Sequence, residues 1–152
     1  VYKRQSSQCI NSDFWENVAK NTNSEYIMFT NCTSPLIKLS TYKDFFSIFK
    51  KNVLSKKYDS INTVTQIQEF LSQNNKPINF KIKQTPNSQD LPDIKKFNFA
   101  INIISKKKMF KKKTLIGSKP YLLDLSEYEG FDIDTMYDFK FAEYLFKNRI
   151  SK

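Results

Sequence analysis

The stretch Gly130-Phe131-Asp132-Ile133-Asp134-Thr135-Met136-Tyr137-Asp138-Phe139 constrains the chain more than any other, because it joins an apolar run to a long helical pattern and sets two carboxylates at the junction. Residues i and i+2 of an extended segment point to the same face, so Asp132 and Asp134 are expected to project together on either side of a buried Ile133. Thr135 then serves as N-cap of the last helix, with Asp138 completing a capping box and placing negative charge at the helix N-terminus. Paired carboxylates at a strand end suit a hard divalent cation such as Mg²⁺, which takes oxygen ligands and keeps positions open for phosphate. They equally suit a solvated turn before a well-capped helix, since Asp is common in turns. The local pattern leaves both readings open.

The rest of the chain alternates short apolar runs with helical stripes. A helix is expected from Asn11 or Ser12, with Phe14, Trp15, Val18 and Ala19 on its apolar side. Tyr26-Ile27-Met28-Phe29 reads as a short buried strand that runs into the polar loop Thr30–Leu36. A second helix starts at Ser40 or Thr41 and turns Tyr42, Phe45, Phe46 and Phe49 to the core. Tyr58 to Thr65 alternates as a strand does. The segment 66–83 is a hairpin-like excursion, with a turn at Asn74-Asn75-Lys76-Pro77 between Glu69-Phe70-Leu71 and Ile78-Asn79-Phe80, and 84–96 is irregular. Phe97 to Ile104 is the central strand, with Asn98 and Asn102 on one face. Ser105 caps a short basic helix, Tyr121 to Leu125 is the last strand, and the final helix covers Thr135 to about Asn148, with Phe139, Ala142, Leu145, Phe146 and Arg149 along one side. Strands alternating with helices predict a single α/β domain, three-layered, around a mostly parallel sheet.

Composition narrows the chemistry. There is no His among the 152 residues, which excludes Ser-His-Asp and Cys-His catalysis and every His-ligated zinc site. Cys9 and Cys32 are too few for a disulfide framework and are read as reduced thiols. The formal charge of +10 invites a nucleic-acid reading, but only Arg4 and Arg149 of the 25 basic residues are arginine, the residue favoured for bidentate phosphate and guanine contacts. The lysines, including Lys106-Lys107-Lys108 and Lys111-Lys112-Lys113, are read as solvated surface able to attract anions non-specifically, and nucleic acid is not an expected partner. No apolar run approaches the roughly 20 residues of a membrane span and there is no signal pattern, so no membrane is expected and a cytoplasmic location is the default.

Taken in order, four stretches resemble the motifs of the acylneuraminate cytidylyltransferases, the family that makes CMP-sialic acid and related CMP-activated nonulosonic acids. Asn31-Cys32-Thr33-Ser34-Pro35-Leu36 is similar to its Gln-x-Thr-Ser-Pro-Leu loop. Ser88-Gln89-Asp90-Leu91-Pro92 with Phe97-Asn98-Phe99-Ala100 is similar to its central substrate-side segment. Ile116-Gly117-Ser118-Lys119-Pro120-Tyr121, and then Phe131-Asp132-Ile133-Asp134-Thr135 with Asp138-Phe139 and Ala142-Glu143, are similar to its C-terminal signature. The resemblance implies a Rossmann-like nucleotidyltransferase fold and a Mg²⁺-dependent reaction in which a sugar hydroxyl attacks the α-phosphate of CTP and pyrophosphate leaves. It implies Asp132 and Asp134 as metal ligands, Asn31, Thr33 and Ser34 as the loop lining the nucleotide and sugar, and Gln89 and Asn98 as sugar-side residues. It further implies a homodimer through the excursion at 66–94 and a place in surface glycan or polysaccharide synthesis.

Three positions depart from that pattern: Asn31 stands for Gln, Asn87 for Arg and Phe99 for Gly. No glycine-rich phosphate loop precedes the first strand, so the fold is expected to be incomplete at its N-terminus and the chain by itself inactive. Val1-Tyr2-Lys3-Arg4-Gln5 resembles the translated mosaic-end adapter of transposase-based sequencing libraries, which makes 1–5 a scar and 6–152 the domain proper. Two other classes compete with a cytidylyltransferase. Asp-x-Asp also holds the metal of many glycosyltransferases, although only one helix follows Asp134 here, and a basic non-catalytic binding module would account for the charge.

Overall fold

The computed structural model describes residues 11–148. The expectations placed on 1–5, Cys9 and Arg149 lie outside that range. In chain order the elements are α1 (Asn11–Lys20), β1 (Tyr26–Thr30), α2 (Leu39–Ile48) running on as a π-turn (Phe49–Val53), β2 (Ser60–Ile67), β3 (Ser72–Gln73), β4 (Lys76–Pro77), β5 (Ile94–Ser105), α3 (Lys106–Lys112), β6 (Pro120–Asp124) and α4 (Met136–Lys147).

A four-stranded sheet in the order β1-β5-β2-β6 forms the middle layer. Side chains alternate across it, and each face gathers its own core. Ile27 and Ile104 meet Ala19 of α1 and Met109 of α3 on one face, while Ile61, Ile101 and Ile103 meet Phe45 and Val53 on the other. Each such fully buried side chain contributes about 1.5–3 kcal/mol. This is the expected three-layer α/β arrangement. The sheet is mixed in detail: β1, β2 and β6 share one direction, and β5 runs against both of its neighbours. The reversal follows from the connection, because 68–93 turns back on itself without the helical crossover that a parallel return to β2 requires.

Local chemistry accounts for most element ends. Ser105 accepts from the Lys108 N–H to cap α3, and Thr135 and Asp138 close a reciprocal capping box at the start of α4. The hairpin forms, but its ladder lies at the tip: β3 and β4 pair around Asn74 and Asn75, both with positive φ, as a two-residue turn of the twist-matched kind demands. Its arms are held instead by the Phe70–Phe80 edge contact and by Asn79, whose amide donates to Glu69 O and accepts from Leu71 N. β5 begins at Ile94 rather than Phe97, since Ile94, Lys95 and Lys96 pair with the end of β2.

Two apolar expectations change. Phe46 is 45 % exposed, because the register of α2 buries Phe45 instead. On α4 only Ala142 is buried, whereas Phe139 and Phe146 are exposed; a Phe131–Phe141 edge contact ties the helix to the connection before it. Among the same residues no helix is long and apolar enough to cross a membrane.

Candidate functional site

Because β1, β2 and β6 point the same way, their carboxyl ends open on one edge of the sheet, where open α/β folds place ligands. The loop after β1, the excursion after β2 and the connection after β6 all emerge there. Asn31 leaves β1 with its N–H on Ala100 O at 3.1 Å, and Ser34 N donates to Asn31 O at 3.2 Å to close the turn. Across from it, Ile133 N donates to Thr33 O at 2.9 Å. The connection is also anchored at Glu129, whose Oε1 accepts from Lys38 N at 3.0 Å and from the Thr41 hydroxyl. Lys38 is the N-cap of α2 and supplies no side-chain cap of its own, so a carboxylate from the β6–α4 connection satisfies the helix start and its dipole.

These links bring Asn31, Thr33 and Ser34 together with Asp132. Ser34 and Asp132 are the chain neighbours of the two residues joined by the Thr33–Ile133 bond. Each presents a buried oxygen, Ser34 Oγ and Asp132 Oδ1, with no hydrogen-bond partner among the described residues. Leaving such an atom unsatisfied costs about 1–3 kcal/mol, so both oxygens stand open to a partner from outside the chain. The two acids are not equivalent. Asp132 is half-buried and Asp134 exposed, and Ile133 between them is half-buried rather than buried. Nor do they sit at a strand end: β6 stops at Asp124, and a turn closed by Gly130 N on Ser126 O at 2.9 Å intervenes.

Gly130 makes that turn fit. A Cβ there would stand 2.4 Å from Thr65 Oγ1 and 2.7 Å from Asn98 Nδ2, so the backbone passes directly over the sheet amide. Asn98 is bonded within the sheet: its Oδ1 accepts from Thr63 Oγ1 at 2.6 Å and Ala100 N at 3.1 Å, and its Nδ2 donates one N–H to Thr65 Oγ1 at 2.8 Å. Gln89 is not tied to the cluster. It lies exposed in the single turn Ser88–Asp90, its backbone carbonyl accepting from Gln68 Nε2 at 3.5 Å. Asp138 stays behind the site, its carboxyl held below the usual range by the Thr135 hydroxyl and N–H.

Sequence reasoning missed two parts. One is Glu129, whose partners lie about ninety residues upstream and leave no local trace. The other is an open cleft of about 420 Å³ beside Asn31, walled by Phe14, Trp15, Phe29 and Phe99 with Lys113 at its rim. Phe14 and Trp15, read as core, are both half-buried on that wall, in edge contact at 4.6 Å. Phe99 adopts φ +54°, a left-handed conformation that strains a bulky residue; it is the position where the resembling family has Gly. Among the described residues no three His, Cys, Asp or Glu side chains converge as a metal cage. An ion held here would therefore rest on one or two carboxylates with water or phosphate oxygens completing its shell, which is the habit of Mg²⁺.

No protein-family profile matches the chain, and no curated protein does. Solved structures do. The chain is similar to 4-diphosphocytidyl-2C-methyl-D-erythritol synthase from Anaerococcus prevotii, with a TM-score of 0.62 and 13 % identity over 93 % of this chain and 68 % of that one. It is also similar to the bifunctional IspDF from Campylobacter jejuni, with a TM-score of 0.57 and 15 % identity over 85 % of this chain and 33 % of that one. At these identities the likeness is one of fold: the chain has the α/β fold of these enzymes.

Proposed function

We propose that the chain is the metal-binding part of a cytidylyltransferase that uses CTP and Mg²⁺ to activate a sialic-acid-like nonulosonic acid. The observation that carries this reading is a pair of unpartnered oxygens, Asp132 Oδ1 and Ser34 Oγ, on the residues flanking the Thr33–Ile133 bond at the carboxyl edge of the sheet. The fold it shares with a synthase whose name puts a cytidyl group in its product supports the nucleotide. In the reaction a hydroxyl of the sugar attacks the α-phosphorus of CTP, the α–β phosphoanhydride breaks, and pyrophosphate departs while the hydroxyl proton passes to solvent.

Asp132 and Asp134 would hold the ion, which neutralises phosphate charge and eases loss of the hydroxyl proton. Asn31, Thr33 and Ser34 line the nucleotide and sugar. Asn98 lies beneath Gly130 on the sugar side, its Oδ1 and one amide N–H bonded within the sheet and its second N–H left for the sugar. Gln89 reaches the sugar from the excursion. That excursion exposes Phe70, Ile78 and Ile82, with Ile82 at 74 %, which favours a homodimer through 66–94.

Pyrophosphate release by the natural protein, measured with CTP, Mg²⁺ and N-acetylneuraminic acid or a related nonulosonic acid, tests the reading. Release that requires all three components and falls at least 100-fold in Asp132→Asn is the expected result. Release with no such sugar, or protection of the protein by a UDP-sugar and not by CTP, would overturn it, the latter in favour of glycosyl transfer.

A further inference from the structure

We propose that a second cleft, at the opposite end of the sheet, is a binding site for a small polyphosphate anion. It lies where β1 and β2 begin and β5 ends, encloses about 510 Å³, and is lined by Lys56, Lys106, Lys107 and Lys108 with Tyr26 and Tyr58. A cavity of that size holds a small molecule rather than a strand of nucleic acid.

Its charge is not cancelled from within. Two carboxylates also line the cleft, Glu25 and Asp59. Asp59 is consumed by Lys108 Nζ at 2.8 Å and by the N–H groups of Ser118 and Lys119, each at 2.9 Å. Glu25 is exposed and among the described residues takes part in no ion pair, and neither do Lys56, Lys106 and Lys107. Three uncompensated ammonium groups against one solvated carboxylate leave a positive, partly enclosed site, and enclosure strengthens their joint attraction for a multivalent anion. Lys56 also holds a left-handed backbone, with φ +62°, where Gly or Asn costs less.

The aromatic lining argues for phosphate groups rather than a nucleobase. Tyr58 is engaged by Lys57 and Lys119 at 5.6 and 5.7 Å from its ring centre and by the edge of Tyr121, and Tyr26 is packed on Phe49. Lysines, as compact point charges with three donors each, suit phosphate oxygens without demanding the planar geometry of Arg. The Lys106–Lys112 run thereby gains a specific half: Lys106 to Lys108 face the cleft, and Lys111 and Lys112 do not line it.

Titration calorimetry of the 152-residue chain with sodium tripolyphosphate tests this. Saturable one-to-one binding is expected, weakened about tenfold or more in the double variant Lys106→Gln/Lys107→Gln and several-fold in Lys56→Gln. Lys111→Gln, on the same run but outside the cleft, and Asp132→Asn, at the other end of the sheet, should bind as the parent does. Equal weakening by Lys111→Gln, no saturable binding at 50 mM salt, or displacement of tripolyphosphate by a short single-stranded oligonucleotide that binds more tightly would each overturn the proposal. Thermal melts of the variants confirm folding, since the substituted lysines make no ion pair among the described residues.

Discussion

Two aspartates at opposite ends of one sheet are used in opposite ways. Asp59, just before β2, accepts three donors from the chain: Lys108 Nζ, Ser118 N and Lys119 N. Burial alone would raise its carboxyl, but those donors outweigh burial and hold it below the usual range. Asp132, after β6, keeps a buried oxygen with no donor among the described residues. A carboxylate saturated by its own chain belongs to the scaffold, whereas one folded into place and left unsatisfied is arranged for a cation or donor from outside. The surroundings agree. Around Asp59 the polar groups continue inward without a gap, from Gly117 N to Ser60 Oγ, on to Asn62 and across to Asn102. Around Asp132 the network stops at Ser34.

The sharpest attack on the Asp59 half is Gly117→Ala. The added Cβ would lie 2.0 Å from Asp59 Oδ1 and 2.8 Å from Ser60 Oγ, so the carboxylate must give up its donors. Losing two charge-assisted hydrogen bonds predicts a destabilisation of about 3 kcal/mol, read as a fall in the denaturant midpoint at constant m; an unchanged midpoint would show that Asp59 is not held as described. The matching attack on the other half is Asp132→Asn. Mn²⁺ or Mg²⁺ affinity should drop about 100-fold, equivalent to about 2.7 kcal/mol, while the denaturant midpoint stays within error of the parent. A loss of stability of the same size as in Gly117→Ala would make Asp132 a second scaffold carboxylate and erase the contrast.

How much of this is visible beforehand depends on how far the determining contacts reach. The Thr135–Asp138 box and the Ser105 cap are legible because donor and acceptor lie three residues apart. The strands are legible as apolar runs, although Ile94, Lys95 and Lys96 are drawn into β5 only by the end of β2 and by Asp124, to which Lys95 is bonded at 2.8 Å. The direction of β5, the Glu129 cap of α2 and the left-handed Phe99 are set by partners or a ladder irregularity distant in sequence, and no window of residues announces them. At the site, a backbone bond from Ile133 N to Thr33 O joins the loop after β1 to the Asp132 segment, a pairing across about a hundred residues that no local window shows. The bonds of Asn98 to Thr63 and Thr65 come from the neighbouring strand, so its sequence window does not announce them.

A smaller effect probes how the Asp132 segment is pinned at its far end. Thr135→Ala removes the cap of α4 and frees Asp138, predicting about 1 kcal/mol of lost stability and a several-fold weaker metal affinity, since Asp134 N also leans on Asp138 at 3.3 Å. Unchanged affinity would mean that the Thr33–Ile133 bond alone fixes the carboxylate.

The smallest effect is a pH slope. Asp59 has a folded-state carboxyl below its usual value of 3.8, so the folded state binds fewer protons than the unfolded chain as pH approaches that value. Its contribution is complete above the unfolded pKa and is lost as pH falls through the lower folded one. Glu16, held down chiefly by Lys113, and Asp138, held down by Thr135, act with the same sign, so the parent should lose stability steadily below about pH 4. Asp59→Asn should flatten that slope by Asp59's share and leave the rest. An unflattened slope in Asp59→Asn, read from denaturant midpoints between pH 5 and pH 2.5, would show that Lys108, Ser118 and Lys119 do not hold that carboxyl down.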